Sequence, residues 1–154
     1  MAQAEKPQMT TFSLDTNVII SHLRGDRFSQ ETDRFFQRMA QKRTQLIVSD
    51  IVYSELYTGI FLSREPDMEE NRVQSLLAVN DIQVRSPKTL KMARRAGELY
   101  ARYLGRDLNL TGRTLPDFLI AAQAEASSEG LVTWNATDYK TLELAVPILT
   151  PPHA

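Results

Sequence analysis

Short apolar runs alternate along this chain with longer segments of helical periodicity. The apolar runs lie at residues 12–14, 46–48, 82–84, 131–133 and 146–149. Most of the segments between them repeat apolar residues at the three- and four-residue spacing of an amphipathic helix. Strands that alternate with helices form a parallel sheet with helices on both faces. We therefore predict an α/β fold of three layers, α/β/α, around a central parallel sheet of four to five strands.

The length and composition of the chain limit how it can be organised into domains. A chain of 154 residues is most simply one domain, which we expect to span residues 11–150. The polar residues 1–10 predict a flexible lead, and residues 151–154 form a short tail. The absence of cysteine excludes disulfides, zinc–thiolate sites and cysteine nucleophiles. No apolar run suits a signal sequence or a membrane span, so we expect a soluble, cytoplasmic protein.

Three carboxylates lie on helix faces that are otherwise apolar. Asp15, Glu55 and Asp117 each have apolar residues three or four positions away, on the same side of a predicted helix. A carboxylate in such a position is costly unless it is paired or bound to a metal. Each acid alone also has a structural explanation, because aspartates cap helices and a single glutamate on a helix is usually solvated.

The predicted topology favours the functional interpretation of these acids. In a parallel sheet, the helix starts that follow the strands converge on the carboxyl edge. Carboxylates gathered there repel one another, and a divalent cation with oxygen ligands relieves that repulsion. Asp138, shortly after the fourth strand, is a further candidate, although it also suits a cap of the last helix. Asn135 lies nearer the end of that strand and offers both a donor and an acceptor.

Positive charge is concentrated in one segment of a chain whose net charge is −1. Residues 85–113 contain eight basic and two acidic side chains, which gives this segment a charge of +6. The pair Ser86-Pro87 predicts the start of the helix that carries most of these bases. A basic band suits a polyanionic partner, and a solvated helix face explains it equally well.

Four motifs in this sequence resemble those of PIN domains, and specifically of VapC-type ribonuclease toxins from bacterial toxin–antitoxin pairs. They cover about residues 11–150 in the family's order: LDTN at 14–17, SELYTG at 54–59, PDFLIAA at 116–122 and TWNATDY at 133–139. The resemblance implies an endoribonuclease that depends on Mg²⁺ or Mn²⁺. It also implies a homodimer, a larger toxin–antitoxin assembly, and a cognate VapB-like antitoxin whose C-terminal segment fills the site.

The resemblance also assigns roles to individual residues. Metal binding and catalysis fall to the acids of the four motifs, which are Asp15, Glu55, Asp117 and Asp138. The positions that support them are Thr16, Asn17, Thr133 and Asn135.

Two positions depart from the family pattern, and the basic band supplies further candidates. Asn135 stands where some members carry another acid, which leaves open whether a second metal is held. Trp134 replaces a residue that is often small, polar or basic, and either RNA stacking or packing explains it. We expect Arg95, Arg102 and Arg113 to contact the RNA backbone.

Three other functions fit parts of the pattern. A PIN nuclease for RNA maturation or decay, without a toxin role, has the same site. A non-catalytic module that binds nucleic acid or protein needs no bound metal, so a metal titration distinguishes it. A receiver-like signalling domain also gathers acids at a sheet edge, but Asp15 stands alone after its strand, and residues 147–150 contain no lysine.

Overall fold

A five-stranded parallel sheet forms the centre of the protein. The computed structural model describes residues 8–86, 89–106, 112–140 and 142–154. The strands are β1 (Thr11–Leu14), β2 (Gln45–Ser49), β3 (Ile82–Arg85), β4 (Leu131–Val132) and β5 (Ile148–Leu149). They are ordered β3-β2-β1-β4-β5, and each neighbouring pair is parallel. The predicted α/β fold around a central parallel sheet is confirmed.

Seven α-helices flank the sheet within the described ranges. They are α1 (Thr16–Arg24), α2 (Ser29–Lys42), α3 (Asp50–Leu62), α4 (Pro66–Val79), α5 (Leu90–Arg106), α6 (Leu115–Ser127) and α7 (Ala136–Lys140). Local signals fix several of their ends. The Ser49 hydroxyl accepts a 3.1 Å hydrogen bond from the backbone N–H of Val52 and so caps α3. Gly25 ends α1 in the left-handed conformation, at φ +60°, which glycine adopts without strain.

The order of the strands creates a crevice at the carboxyl edge of the sheet. The chain passes from β1 to β2 on one side, and β4 later pairs with β1 on the other side. Leu14 lies opposite Val132 in this pairing, so the next residues, Asp15 and Thr133, leave the sheet side by side. Open α/β sheets bind ligands at such a point, where the direction of strand order reverses.

The core holds this edge in place. Strand β2 is buried along its whole length, and β4 is buried as well. Helix α6 contributes Phe118 and Ala121 to the same apolar cluster, and α3 contributes Val52. Because both helices pack against this core, their first two turns are held beside the crevice.

One predicted helix start is wrong. Helix α5 begins at Leu90, not at Ser86-Pro87, and the Thr89 hydroxyl accepts a 3.3 Å hydrogen bond from the N–H of Met92. The Ser86 hydroxyl instead donates to Asp50 Oδ2 at 2.6 Å. Pro87 itself lies outside the described residues.

The structure describes the C-terminal end of the chain but not its first seven residues. Residues 1–7 of the predicted lead lie outside the described ranges. At the other end, Pro151–His153 forms a 3₁₀ turn, and an Arg38 guanidinium nitrogen donates to the Pro151 carbonyl. None of the helices in the described part of the chain has the length and apolarity that crossing a bilayer requires.

Candidate active site

A cavity of about 570 Å³ opens at the carboxyl edge of the sheet. It is lined by all four acids predicted from the sequence, namely Asp15, Glu55, Asp117 and Asp138. Asp26 adds a fifth carboxylate, and Arg113 is the one basic side chain among the lining residues that the structure describes. Residues more than 120 positions apart along the sequence are thus brought to one pocket with a strong excess of negative charge.

Asp15 is the most enclosed of the acids, with 5% of its surface exposed. Its Oδ1 accepts a 2.8 Å hydrogen bond from the backbone N–H of Thr16, and its Oδ2 accepts one of 2.9 Å from the Thr133 hydroxyl. The Tyr139 hydroxyl approaches the same oxygen at 3.3 Å. Burial raises the pKa of Asp15, and the hydrogen bonds from Thr133 and Thr16 act in the opposite direction.

Asn17 and Thr133 join the ends of β1 and β4. The Asn17 amide nitrogen donates to the Thr133 hydroxyl at 3.0 Å, and its Oδ1 accepts from the backbone N–H of Trp134 at 3.0 Å. The backbone N–H of Asn135 donates to the same hydroxyl at 3.1 Å. The family resemblance implied supporting roles for Asn17, Thr133 and Asn135; Thr133 donates to Asp15, and Asn17 and Asn135 line the cavity.

Glu55 and Asp117 reach the cavity from the helices on either side. The Thr16 hydroxyl donates to Glu55 Oε2 and so joins α1 to α3. Burial raises the pKa of Glu55, and the negative charges of Asp15 and Asp117 raise it further. Asp117 Oδ2 accepts a 2.9 Å hydrogen bond from the Thr114 N–H at the start of α6. Asp117 therefore takes part in capping its helix and also lines the cavity.

Arg113 bridges two of the acids. Its Nη2 lies 2.7 Å from Asp138 Oδ2, and its Nη1 lies 3.6 Å from Asp117 Oδ1. The guanidinium group stacks 4.4 Å from the centre of the Tyr139 ring. Asp138 lies in the first turn of α7, which begins two residues earlier, at Ala136, so Asp138 does not cap this helix as one interpretation proposed.

The side chains that line this cavity are chemically suited to bind a hard divalent cation. The lining residues offer carboxylate, hydroxyl and amide oxygens and include neither histidine nor cysteine, the combination that Mg²⁺ and Mn²⁺ prefer. In the described ranges, no three such side chains already form a compact metal-binding group. Arg113 is the cationic group that partly balances Asp117 and Asp138.

Two of the three bases predicted to bind RNA lie elsewhere. Arg95 forms a two-pronged ion pair with Glu125, at 2.8 and 3.1 Å, and Arg102 pairs with Glu98 at 2.7 Å. Neither lines the cavity, whereas Arg113 does. The charge of the segment and the nearby Glu98 were visible in the sequence, but the pairing of Arg95 with the distant Glu125 was not.

The sequence did not single out Phe28 and Asp26, which also line the cavity. Both lie in the loop between α1 and α2, and nothing in their spacing signals that this loop folds over the sheet edge. For Trp134 the sequence indicated either RNA stacking or packing. Its ring stacks on that of Phe28, with 4.3 Å between the ring centres.

Comparison with known proteins identifies the family. Residues 13–142 match the model of the PIN domain, so the chain belongs to the PIN domain family. None of the curated proteins compared with the chain matches it significantly.

Solved structures share the fold over nearly the whole chain. VapBC2 from Rickettsia felis, bound to a DNA fragment from its promoter, has a TM-score of 0.74 at 21% identity, covering 92% of this chain and 98% of that one. DNA-bound VapBC from Salmonella typhimurium gives 0.70 at 22%, covering 93% and 99%. A toxin–antitoxin complex from Klebsiella pneumoniae gives 0.62 at 22%, covering 92% and 98%. At these identities the likeness concerns the fold.

Proposed function

We propose that this protein is a metal-dependent endoribonuclease and the toxin of a toxin–antitoxin pair. It hydrolyses RNA phosphodiester bonds in the cytoplasm and thereby inhibits translation or growth. The observation that carries the proposal is the single cavity lined by Asp15, Glu55, Asp117 and Asp138 at the reversal point of the sheet. Membership of the PIN domain family supports it, because PIN domains are nucleases.

The roles of the residues follow from their contacts. Asp15, Glu55, Asp117 and Asp138 hold Mg²⁺ or Mn²⁺, which when bound supplies positive charge at the scissile phosphate. Thr133 and Asn17 fix the orientation of Asp15, and Thr16 does the same for Glu55.

Arg113 is the base best placed to act on the substrate. It lines the cavity, and its side chain is only 11% exposed, so a phosphate that enters displaces little water from it. We propose that Arg113 exchanges a carboxylate for a backbone phosphate when RNA binds. Asn135, exposed beside it, offers an amide to the same strand.

The proposed partners are a VapB-like antitoxin and a second copy of the chain. The similar solved structures are described as VapBC or toxin–antitoxin complexes, which supports an antitoxin partner. Large apolar side chains that remain on the surface supply area for such contacts: Phe61, Leu62, Val79 and Leu90. A homodimer that assembles further with antitoxin fits these observations.

Cleavage of a mixed-sequence RNA by the purified protein tests the enzymatic proposal. We expect cleavage with Mg²⁺ or Mn²⁺, none with EDTA, and a loss of at least about 100-fold in Asp15→Asn and Asp117→Asn. Asp67→Asn, at an exposed acid outside the cavity, is the matched control and is expected to cleave normally. Circular dichroism checks that each variant is folded. Cleavage that survives both EDTA and Asp117→Asn would overturn the proposal.

Expression in a bacterial host tests the toxin role separately. We expect growth arrest with the natural chain and normal growth with Asp117→Asn. An active nuclease that does not arrest growth would contradict the toxin role and favour a nuclease of RNA maturation or decay.

A further inference from the structure

An aromatic pair forms part of the wall of the acidic cavity. The rings of Phe28 and Trp134 stack at 4.3 Å between centres with 19° between their planes, and both residues line the cavity that holds Asp15. Ile20 is the only other apolar side chain among the lining residues that the structure describes. The cavity therefore has one flat apolar surface in an otherwise polar lining.

Trp134 is the fixed inner member of this pair. Its indole N–H donates to the Thr32 hydroxyl at 3.1 Å, and its backbone N–H donates to Asn17 Oδ1 at 3.0 Å. The ring is half-buried and packs against the core. These hydrogen bonds and core contacts account for the position of the Trp134 ring.

Phe28 is held in place by its own loop. Its backbone N–H donates to Asp26 Oδ1 at 2.9 Å, and the same oxygen accepts a 2.9 Å hydrogen bond from the Ser21 hydroxyl. The turn begins at Gly25 in the left-handed conformation. The ring is thus positioned before any ligand arrives, which lowers the entropy lost on binding.

The second face of Phe28 carries an exchangeable group. The Arg27 guanidinium lies 4.6 Å from the ring centre. Because Trp134 already stacks on one face of the ring, we infer that Arg27 covers the other face. Arg27 is exposed and forms no ion pair within the described part of the chain. An exposed cation–π contact is weaker than stacking between an aromatic side chain and a nucleobase.

We propose that the Phe28–Trp134 pair is a stacking platform for an unpaired base beside the scissile phosphate. This inference rests on the proposed nuclease function and adds to it the side chains on which an unpaired base stacks. The base takes the face of Phe28 that Arg27 covers, and Arg27 turns to the RNA backbone. A base within a duplex is already stacked on its neighbours, so the platform discriminates against paired RNA.

The fluorescence of Trp134 reports a change at its stacking partner Phe28, because Trp134 is the only tryptophan in the chain. The probe is a short single-stranded RNA pool of random sequence, added with Mg²⁺ to the Asp117→Asn variant so that cleavage does not consume it. Anisotropy of labelled RNA gives the affinity independently of the fluorescence. We expect quenching by single-stranded RNA and little change with an RNA duplex of equal length.

Substitutions at Phe28 separate stacking from simple packing. In the same background, we expect Phe28→Leu to weaken RNA affinity about tenfold and Phe28→Tyr to restore it. The matched control, Phe61→Leu, removes a ring that is 74% exposed and outside the cavity, and it is expected to change nothing.

The possible failures are distinguishable. If the Asp117→Asn protein does not bind RNA by anisotropy, the platform is wrong, and the cleavage assay decides the nuclease proposal separately. If RNA binds but Phe28→Leu binds it as tightly as the parent, the platform alone is wrong and the nuclease proposal stands. Equal quenching by duplex RNA, or failure of Phe28→Tyr to restore affinity, likewise overturns the platform.

Discussion

At the scale of single residues, Thr133 does the most to organise the acidic cavity. It is fully buried, it donates to Asp15, and it accepts from the side chain of Asn17 and the backbone of Asn135. One hydroxyl therefore forms hydrogen bonds with three polar groups at the edge of the sheet.

Replacement of Thr133 by valine should test this arrangement. Valine keeps the shape but provides neither the donor to Asp15 nor the acceptor for Asn17, so we expect a loss of about 1–3 kcal/mol in the free energy of unfolding. Cleavage of RNA should fall as Asp15 loses its orientation. Urea unfolding measures the first effect, with Thr133→Ser as the control that keeps the hydroxyl. Equal stability of the valine and serine variants would contradict the role given to this hydroxyl.

Residue-level prediction from sequence succeeded where the signal was local. Asp15, Glu55 and Asp117 were found because a carboxylate among apolar helix neighbours is costly, and all three do line the cavity. Phe28 was missed because its stacking partner lies more than 100 positions away along the chain. Arg95 was predicted to contact RNA because it lies in the basic segment, and its pairing with Glu125, 30 positions away, was not visible in the sequence.

At the scale of elements, the Arg95–Glu125 pair fastens α5 to α6. Glu125 also accepts a 2.7 Å hydrogen bond from the backbone N–H of Ala145, which ties the loop before β5 to the same point. Burial acts to raise the pKa of Glu125, but the hydrogen bonds from Arg95 and Ala145 outweigh it, so the pKa is lowered from its usual 4.5.

This lowered pKa gives a stability difference that depends on pH. Because the folded pKa of Glu125 lies below its unfolded value, its charge stabilises the fold fully above about pH 4.5 and progressively less as the pH falls through the folded value. We expect Glu125→Gln to cost about 1–2 kcal/mol at pH 7 and less in acid. Urea unfolding between neutral and acid pH measures this difference.

The exposed neighbour Glu98 supplies the control for that experiment. Its ion pairs with Arg95 and Arg102 lie at the surface, so Glu98→Gln should change the unfolding free energy by less than about 0.5 kcal/mol. If Glu125→Gln and Glu98→Gln lower the free energy of unfolding equally, the part-buried Arg95–Glu125 pair stabilises the fold no more than the surface pairs do.

Element boundaries were predictable when the capping signal had no competitor. Helix α3 begins after its cap Ser49, and α4 begins at Pro66, and serine and proline are residue types that favour these two positions. The start of α5 was not predictable, because the hydroxyl of Ser86 bonds to Asp50, which is 36 positions away. A distant partner thus removed the local cap that the helix prediction assumed.

At the scale of the whole molecule, the cavity collects charge from four separate elements. Acids from the end of β1 and from α3, α6 and α7 face one space, with Arg113 as the counter-charge that the structure places among them. Repulsion between these carboxylates opposes folding, and a bound cation would relieve it.

Divalent ions should therefore raise the thermal stability of the protein. A ligand that binds only the folded state adds about 2.7 kcal/mol at 100 times its dissociation constant, so we expect the midpoint of thermal unfolding to rise with Mn²⁺ or Mg²⁺. Asp117→Asn should remove most of the increase, whereas Asp67→Asn should retain it. Sodium chloride of equal ionic strength controls for screening. The absence of any rise in the natural chain would contradict metal binding at this cavity.

The pairing of β1 with β4 has a consequence for how the protein is made. Asp15 and Thr133 are separated by 118 positions, so a ribosome adding about 5–20 residues per second needs about 6–24 s between them. Until then the growing polypeptide contains Asp15 but not the strand β4 that pairs with β1. We therefore expect a polypeptide truncated before Thr133 to lack the RNA cleavage proposed for the whole chain.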